Sequence, residues 1–423
     1  MRIAFTTLGC KLNYAETSTY ERGFISAGWE LVPWTREADV YLVNTCSVTE
    51  TAEKKSRNLI RRAHKTSPAA RIVVTGCYAE LRKEQLLQIE GVWKVFGNKD
   101  KKSLVYDVIA GMTVMDGTLS GNNTTPGSEG GTLGAFSSGE RTRSFLKVQD
   151  GCDNFCAYCT VPYARGRSRS VPAEQVLAMA REIASKGIKE IVLTGVNTGD
   201  YGRDTGVPFL ELLKQLNAVD GIERYRISSI EPNLITPEMI DWIASGTKFQ
   251  KHFHIPLQSG SDTLLGKVGR RYDTELFRSR IKYIRSAMER PGESKVFFGI
   301  DVIAGLPSET EELFMETYHF LEDVIRPAFI HVFPYSRRPG TPAATWPGQV
   351  QESVKTERVA RLEALCEDLH TAFTAANKGC KETVLWESSV KNGLMGGYTG
   401  NYLRIQTPYN KDLVNTIQPI VIQ

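Results

Sequence analysis

The sequence predicts an α/β chain in three parts. These are an N-terminal doubly wound parallel α/β domain (1–110), a central incomplete (βα)6 barrel of the TIM type (141–376) and a small all-β barrel (377–423), with a Gly/Ser-rich linker at 111–140. Three observations predict this. Short β-branched or aromatic runs alternate with amphipathic stretches from Arg2 to Asn98, six further runs recur between Arg143 and Pro334, and the chain beyond Glu382 turns to short strand-like segments broken by Gly and Asn.

In the first part the strand-like runs are RIAFTTL, DVYLVNT, RIVVTG and VWKVFG. Helices fit between them at Glu16 to Ala27, Thr49 to Ser67 and Leu81 to Ile89, long enough for the crossovers that parallel strands need. Between Gly111 and Gly139 the chain is dense in Gly, Ser, Thr and Asn with almost nothing to bury, so a linker is expected. The central runs are SFLKVQ, EIVLTG, RYRISSI, KHFHIPL, VFFGIDVIAG and AFIHVFPY; in such a barrel, functional groups are expected where strands end. A charged helix from Val350 to about Ala376 follows, and VLWES, GLMGGYTGNYLRIQTP and LVNTIQPIVIQ supply the terminal strands. No repeat of solenoid period is present.

Composition bounds the chemistry. A chain of 423 residues suits two or three domains, and 41% hydrophobic with 24% charged residues is ordinary globular usage. No membrane span is evident, and Arg2 followed at once by a strand-like run leaves no room for a secretory signal, so a cytoplasmic, reducing setting is expected. Eight cysteines in such a chain point to metal or redox chemistry rather than to disulfides. A net charge of +4 neither requires nor excludes a polyanionic partner.

Cys152, Cys156 and Cys159 form C-x3-C-x2-C directly after a strand. Three thiolates on one tight loop can hold an iron-sulfur cluster and leave one iron open for a substrate. A zinc site would want a fourth ligand, and Asp153 and Tyr163 are poor candidates. Cys10, Cys46 and Cys77 each lie just past the carboxyl end of a predicted parallel strand, the edge where ligands bind in open α/β sheets. A second three-cysteine site is the economical reading, with three inert buried thiols as the alternative. Cys366 and Cys380 stand apart as ordinary thiols.

The cysteine spacing, with Tyr158 before the third thiol, resembles the radical S-adenosylmethionine superfamily. The wider set TLGCKLNYAET, VNTCSVT, VTGCYAE, DGCDNFCAYCTVPYARGRSRS, EIVLTGVNTGDYG, ISSIEP, HIPLQSGSD and GIDVIAGLPSET resembles its methylthiotransferase family over nearly the whole chain. The resemblance implies a radical S-adenosylmethionine barrel followed by a TRAM domain. It implies two 4Fe-4S clusters, one on Cys152, Cys156 and Cys159 and an auxiliary one on Cys10, Cys46 and Cys77 that supplies or carries sulfur. One S-adenosylmethionine would methylate that sulfur; a second would be cleaved to a radical that activates an unreactive substrate carbon.

Cofactor contacts are expected at Tyr158 and at the strand-end residues Gly195, Asn197, Ser229, Glu231, Gln258 and Asp301, where Gly195 would let backbone approach closely. For Glu231 and Asp301 a structural hydrogen bond is the alternative. His252 and His254 share a strand face and read equally well as core histidines.

The family modifies tRNA or a ribosomal protein. Lys378, Lys381, Lys391, Arg404 and Lys411 interleave with Trp386, Tyr398, Tyr402 and Tyr409, a mixture suited to phosphate and to unpaired bases. The helix carrying Lys54, Lys55, Arg57, Arg61, Arg62 and Lys65 is either a second basic patch or a solvated face. TLGCKLNYAET is most similar to the branch acting on N6-threonylcarbamoyladenosine at position 37 of tRNA, so Lys11 and Leu12 favour the threonylcarbamoyl substrate, with the tRNA anticodon stem-loop as the implied partner. The isopentenyladenosine branch carries a GCQMN-like string there and the ribosomal-protein branch a GCPKN-like one. An external electron donor and a sulfur source are further implied partners. A noncatalytic electron carrier or RNA-binding module is the competing reading, disfavoured because it has no use for a cofactor pocket.

Overall fold

A computed structural model describes residues 1–115, 132–138 and 142–423 of the chain. The N-terminal sheet contains β1 (Arg2–Thr7), β2 (Glu30–Leu31), β3 (Val40–Thr45), β4 (Arg71–Gly76) and β5 (Val92–Phe96), all parallel in the order β2-β1-β3-β4-β5. Alternate side chains of these strands go to opposite faces, as the pleat requires. Ile3, Val40, Leu42 and Val73 pack with Phe24, Leu104 and Val108, whereas Ala4, Tyr41, Val43 and Val74 pack with Ile60 and Ala63. Helices therefore cover both faces, and every residue of the central strand β3 is buried.

Two helix starts differ from the sequence reading. The first helix runs Lys11–Ser26, beginning five residues before Glu16, because Asn13 Nδ2 donates to Leu8 O (2.7 Å) and Thr45 O (3.0 Å) and fixes the first turn by tertiary bonds. The helix Cys77–Leu81 starts on the cysteine itself, its first turn held where Ala79 N donates to Thr45 Oγ1 at 3.3 Å.

The expected linker is ordered at both ends. The helix Leu104–Met115 enters it, carrying Met112 onto the sheet's core, and β6 (Ala135–Phe136) pairs antiparallel with β7 (Arg143–Lys147). The Arg22 guanidinium lies 3.7 Å from the Phe136 ring centroid and donates to Phe136 O at 3.0 Å. Apolar anchors that a composition-based reading overlooks hold these ends; residues 116–131 and 139–140 of the expected linker, and residue 141 at the start of the central part, lie outside the described residues.

The central part aligns β7, β10 (Glu190–Thr194), β11 (Arg224–Ile227), β12 (His252–Gln258), β13 (Phe297–Ala304) and β14 (Phe329–Pro334), parallel and in chain order. Between β11 and β12 the ladder thins to the bridges Tyr225–Phe249 and Ser229–His254. Two short antiparallel strands, β8 (Gln149–Asp150) and β9 (Arg169–Ser170), flank the loop carrying Cys152, Cys156 and Cys159. The helix Glu352–Ala376 packs on β14, where Ile330 N donates to the buried Cys366 Sγ at 3.1 Å.

The terminal strands β15 (Lys381–Lys391), β16 (Leu394–Thr399), β17 (Arg404–Pro408) and β18 (Ile417–Val421) pair antiparallel in the order β17-β16-β15-β18. This is a half-barrel: among the described residues no ladder joins β17 to β18, so it does not close as the sequence reading expected. Arginines dock it on the central strands. Arg226, 1% exposed on its side chain, pairs with Glu190 at 2.9 Å and donates to Thr399 O and Gly400 O at 2.7 and 2.8 Å, while Arg143 pairs with Glu387 at 2.8 Å.

The two α/β parts meet on a buried ionic cluster. Lys101 Nζ and Lys147 Nζ each bridge Glu16 Oε1 (2.8 and 2.6 Å) and Asp150 Oδ2 (2.8 and 2.6 Å), and Arg165 pairs with Asp150 Oδ1 at 2.8 Å. Burial by itself would raise both carboxyl pKa values, but Lys101, Lys147 and Arg165 outweigh it and hold Glu16 and Asp150 well below the usual carboxylate range.

Removing one member leaves uncompensated buried charge, so Lys147→Met is expected to cost about 3–5 kcal/mol, read from the urea midpoint. Because the folded carboxyls have depressed pKa values, their stabilisation is complete above the unfolded value of about 4 and is lost as the pH falls below it. The thermal midpoint should thus hold from about pH 8 to 5 and drop below about pH 4, and Glu16→Gln should flatten that acid limb.

Candidate active site

Cys10, Cys46 and Cys77 follow β1, β3 and β4, three neighbouring strands, so the sheet order brings together residues far apart in sequence. Gly9, at φ +103°, permits the close approach: a Cβ there would lie 2.9 Å from Cys46 Cβ and 3.1 Å from its Sγ. Asn13 Oδ1 accepts from Arg165 at 2.5 Å, and the Arg165 guanidinium also hydrogen-bonds Cys77, so a residue of the central part closes over this triplet. Burial first, then the neighbouring Cys77, pushes the Cys46 thiol up to about 11; burial also raises Cys77, with Arg165 opposing. Such thiols become thiolates when a cation binds them.

On the second loop, backbone and side-chain N–H groups point at sulfur. Asn154 N lies 3.5 Å from Cys152 Sγ, Val161 N 3.4 Å from Cys159 Sγ, and Arg270 Nη1 3.3 Å from Cys156 Sγ. Burial pushes Cys152 up to about 11 and Cys159 to about 12. Among the described residues the three-ligand groups whose atoms all lie within 4.8 Å of one another contain no cysteine. A single tetrahedral zinc would draw its sulfurs to about 3.8 Å apart. The wider spread, the all-sulfur donor set and the N–H···S contacts fit a polynuclear iron-sulfur cluster.

A cavity of about 330 Å³ opens beside this loop and gathers Cys152, Cys156, Cys159, Tyr158, Asn197, Ser229, Glu231, Gln258 and Asp301. Glu231 accepts from Asn154 Nδ2 at 2.7 Å and pairs with the buried Arg270 at 2.7 Å. Its own N–H donates to Asn197 Oδ1 at 3.3 Å. Gln258 sits at a break in the β12–β13 register with φ +70°, a strained conformation for a non-glycine residue. Asp301 Oδ1 is 2.7 Å from His254 Nε2.

Gly195 falls elsewhere than expected. It lines a neighbouring cavity, and its missing Cβ makes room for Gln149, whose Oε1 would be 2.8 Å from that atom and which accepts from Val196 N (2.9 Å) and Asn197 N (3.1 Å). Its bareness therefore shapes the loop under Asn197. Sequence reasoning missed Gln149, Arg165 and Arg270, together with Glu16 and Asp150. Glu16, Asp150 and Arg165 lie inside the signature strings around the cysteines and Gln149 ends the strand-like run SFLKVQ, which were the available signals; Arg270 carried none.

The second cavity, about 790 Å³, shares Ser229 with the first and is lined by Cys10, Lys11, His252, His254, His331, Tyr398, Tyr402 and Arg404 among others. The His254 and His331 rings stack at 4.9 Å, and burial, helped by His254 and Lys11, pushes His331 down to about 4. His252 and His254 are thus wall residues rather than core fillers. Of the aromatics proposed to meet RNA, Tyr398 and Tyr402 stack here at 4.7 Å and Tyr409 is exposed, whereas Trp386 is buried with Val384 and Met395 in the terminal sheet's own core and cannot stack on a base. Lys378, Lys381, Lys391 and Lys411 are exposed, as are Lys54, Lys55, Arg61, Arg62 and Lys65; Arg57 is turned to the Tyr78 hydroxyl at 2.8 Å. No helix among the described residues is long and apolar enough to cross a membrane.

Two family models match the chain. A family model described as uncharacterized protein family UPF0004 matches residues 2–97, and one described as the radical SAM superfamily matches residues 146–321. The threonylcarbamoyladenosine tRNA methylthiotransferase MtaB of Bacillus subtilis (strain 168) is 39% identical over 99% of this chain and 93% of that protein. The protein of the same name from Aquifex aeolicus (strain VF5) is 36% identical over the full length of both. The tRNA-2-methylthio-N(6)-dimethylallyladenosine synthase of Wolinella succinogenes is 33% identical over 100% of this chain and 96% of that protein. Among solved structures, the radical S-adenosylmethionine methyltransferase TsrM from Kitasatospora setae superposes with a TM-score of 0.57 at 14% identity, covering 81% of this chain and 75% of that one, a likeness of fold. With relatives 33–39% identical over nearly the whole chain, the chain belongs to the radical S-adenosylmethionine tRNA methylthiotransferase family.

Proposed function

We propose that the chain is a cytoplasmic enzyme that converts N6-threonylcarbamoyladenosine at position 37 of the tRNA anticodon stem-loop to its 2-methylthio derivative, using S-adenosylmethionine and two 4Fe-4S clusters. The observation that carries this reading is the pairing of sites: Cys152, Cys156 and Cys159 line one cavity, Cys10 lines another, and the two cavities share Ser229. An electron carrier needs neither cavity. The names of the Bacillus and Aquifex relatives support the threonylcarbamoyl substrate over the dimethylallyl one.

In this reading Cys152, Cys156 and Cys159 hold one cluster and Cys10, Cys46 and Cys77 the auxiliary one. When bound, the first supplies one-electron cleavage of S-adenosylmethionine at its open iron and the second supplies sulfur. Glu231, Asn197, Ser229, Gln258 and Asp301 present polar groups to the cofactor's amino, ribose and adenine ends, Tyr158 backs the loop, and Gly195 acts through Gln149. Arg270 holds Glu231 and Cys156 in register. Residues 1–110 act as the methylthiotransferase domain, 141–376 as the radical core and 377–423 as a TRAM domain, whose exposed lysines, with those near Lys54, suit tRNA phosphates. An external electron donor and a sulfur source complete the cycle.

Anaerobically reconstituted protein should bind about eight irons, and the Cys→Ala triples at 152/156/159 and at 10/46/77 should each lose about four. A triple that kept its full iron content would sink the two-cluster reading. Nucleoside mass spectrometry of tRNA from a deletion strain should show 2-methylthio-N6-threonylcarbamoyladenosine gone and the isopentenyl product unchanged; the reverse pattern would transfer the assignment to the isopentenyl substrate. Glu231→Gln removes a charge-assisted contact and should weaken S-adenosylmethionine binding roughly ten- to a hundredfold in calorimetry, with iron content unchanged.

A further inference from the structure

The cavity beside Cys10 holds positive charge that the chain itself leaves unanswered. Lys11 lines it, and among the described residues no carboxylate oxygen lies within 4.0 Å of the Lys11 ammonium. The groups that favour its charge are the Tyr402 hydroxyl first and then one carboxylate, Asp301, whose Oδ1 is taken by His254 at 2.7 Å. Other cations close by are differently placed: Arg143 and Arg226 are committed to Glu387 and Glu190, whereas Arg404 is exposed on the cavity's rim. A half-buried, unpaired ammonium is costly to keep unless an anion joins it.

Two further features mark the cavity as built for a ligand. His252 and Ser228, both on its wall and more than nine-tenths buried, leave Nδ1 and Oγ without hydrogen-bond partners. The Tyr398 and Tyr402 rings stack on each other at 4.7 Å beside them, with the Arg143 guanidinium 4.6 Å from the Tyr398 centroid and that of Arg226 4.8 Å from the Tyr402 centroid, so this wall is cationic as well as aromatic. The required ligand is thus anionic where it meets Lys11 and carries polar atoms where it meets His252 and Ser228. Threonylcarbamoyladenosine has that form, a purine bearing a short arm that ends in a carboxylate; an isopentenyl arm has no charge to offer.

We propose that Lys11 binds the carboxylate of the N6-threonylcarbamoyl arm and makes this cavity select an acidic N6 substituent over an apolar one. The inference rests on the substrate reading given above. S-adenosylmethionine shares the adenosine-plus-carboxylate chemistry, so the test separates the two sources.

Binding of reconstituted wild-type protein is measured by fluorescence anisotropy with anticodon stem-loops carrying threonylcarbamoyladenosine or its neutral methyl ester. The wild type should prefer the acid by about ten- to a hundredfold, the range of one charge-assisted bond. Lys11→Gln should bind both loops alike, with iron content and the KM for S-adenosylmethionine unchanged, and Lys11→Arg should restore most of the preference. An acid preference that persists in Lys11→Gln overturns the proposal, as does a loss that falls on S-adenosylmethionine instead. If the wild type forms no 2-methylthio product on the acid loop, the substrate reading itself fails; if it does and Lys11→Gln discriminates like wild type, only the role of Lys11 falls.

Discussion

Five charged side chains with almost no access to water sit where the two α/β parts meet, and the geometry of both cysteine triplets depends on them. Glu16 belongs to the helix that follows Cys10, Lys101 to the turn after the last strand of the first sheet, and Lys147, Asp150 and Arg165 to the segments bracketing the second cysteine loop. Each carboxylate faces more than one cation at 2.6–3.4 Å. Charges taken this far from water are tolerated only in a fixed arrangement, since a small displacement restores the desolvation cost without the compensating attraction. The cluster therefore fixes relative position more firmly than an apolar contact of similar size, which can slide.

Arg165 carries this constraint into the chemistry. Three cations against two carboxylates leave net positive charge in the cluster, and Arg165 directs it at the N-terminal triplet through Asn13 and Cys77. Burial raises the thiols of Cys46, Cys77, Cys152 and Cys159, so these favour the protonated state until something cationic replaces the proton. A site that resists ionisation when empty and is surrounded by N–H donors favours a bound metal cluster over a free, oxidisable thiolate.

Much of this was legible in the sequence, for identifiable reasons. Short β-branched or aromatic runs such as VYLVNT marked the strands of both sheets, and the position of a cysteine just after three such runs marked the first triplet, because strand order in a parallel sheet follows from short crossovers. The second triplet needed only local spacing. What stayed hidden depended on contacts between distant segments. The helix start at Lys11 is set by Asn13 reaching Thr45, the role of Gly195 is set by Gln149 approaching from another strand, and Trp386 reads as a stacking residue until the terminal sheet closes over it. Arg270 lies in the otherwise unremarkable GRRY and acquires meaning only where the fold sets it against Glu231 and Cys156.

The anchoring of the chain on either side of the Gly/Ser-rich segment has a bearing on how such proteins can vary. The helix Leu104–Met115 and the strand Ala135–Phe136 both pack on the helix Lys11–Ser26, through Val105 against Gly23 and Phe136 against Arg22. The covalent link between the two cysteine-bearing parts thus leaves and rejoins one and the same support, and the spacing between those parts is decided by packing and buried charge. Lengthening such a connection costs only about 0.6 kcal/mol for each doubling. Residues can be gained or lost there over evolutionary time, or inserted by an engineer as a tag or reporter, while the distance between the two sulfur sites stays as it is.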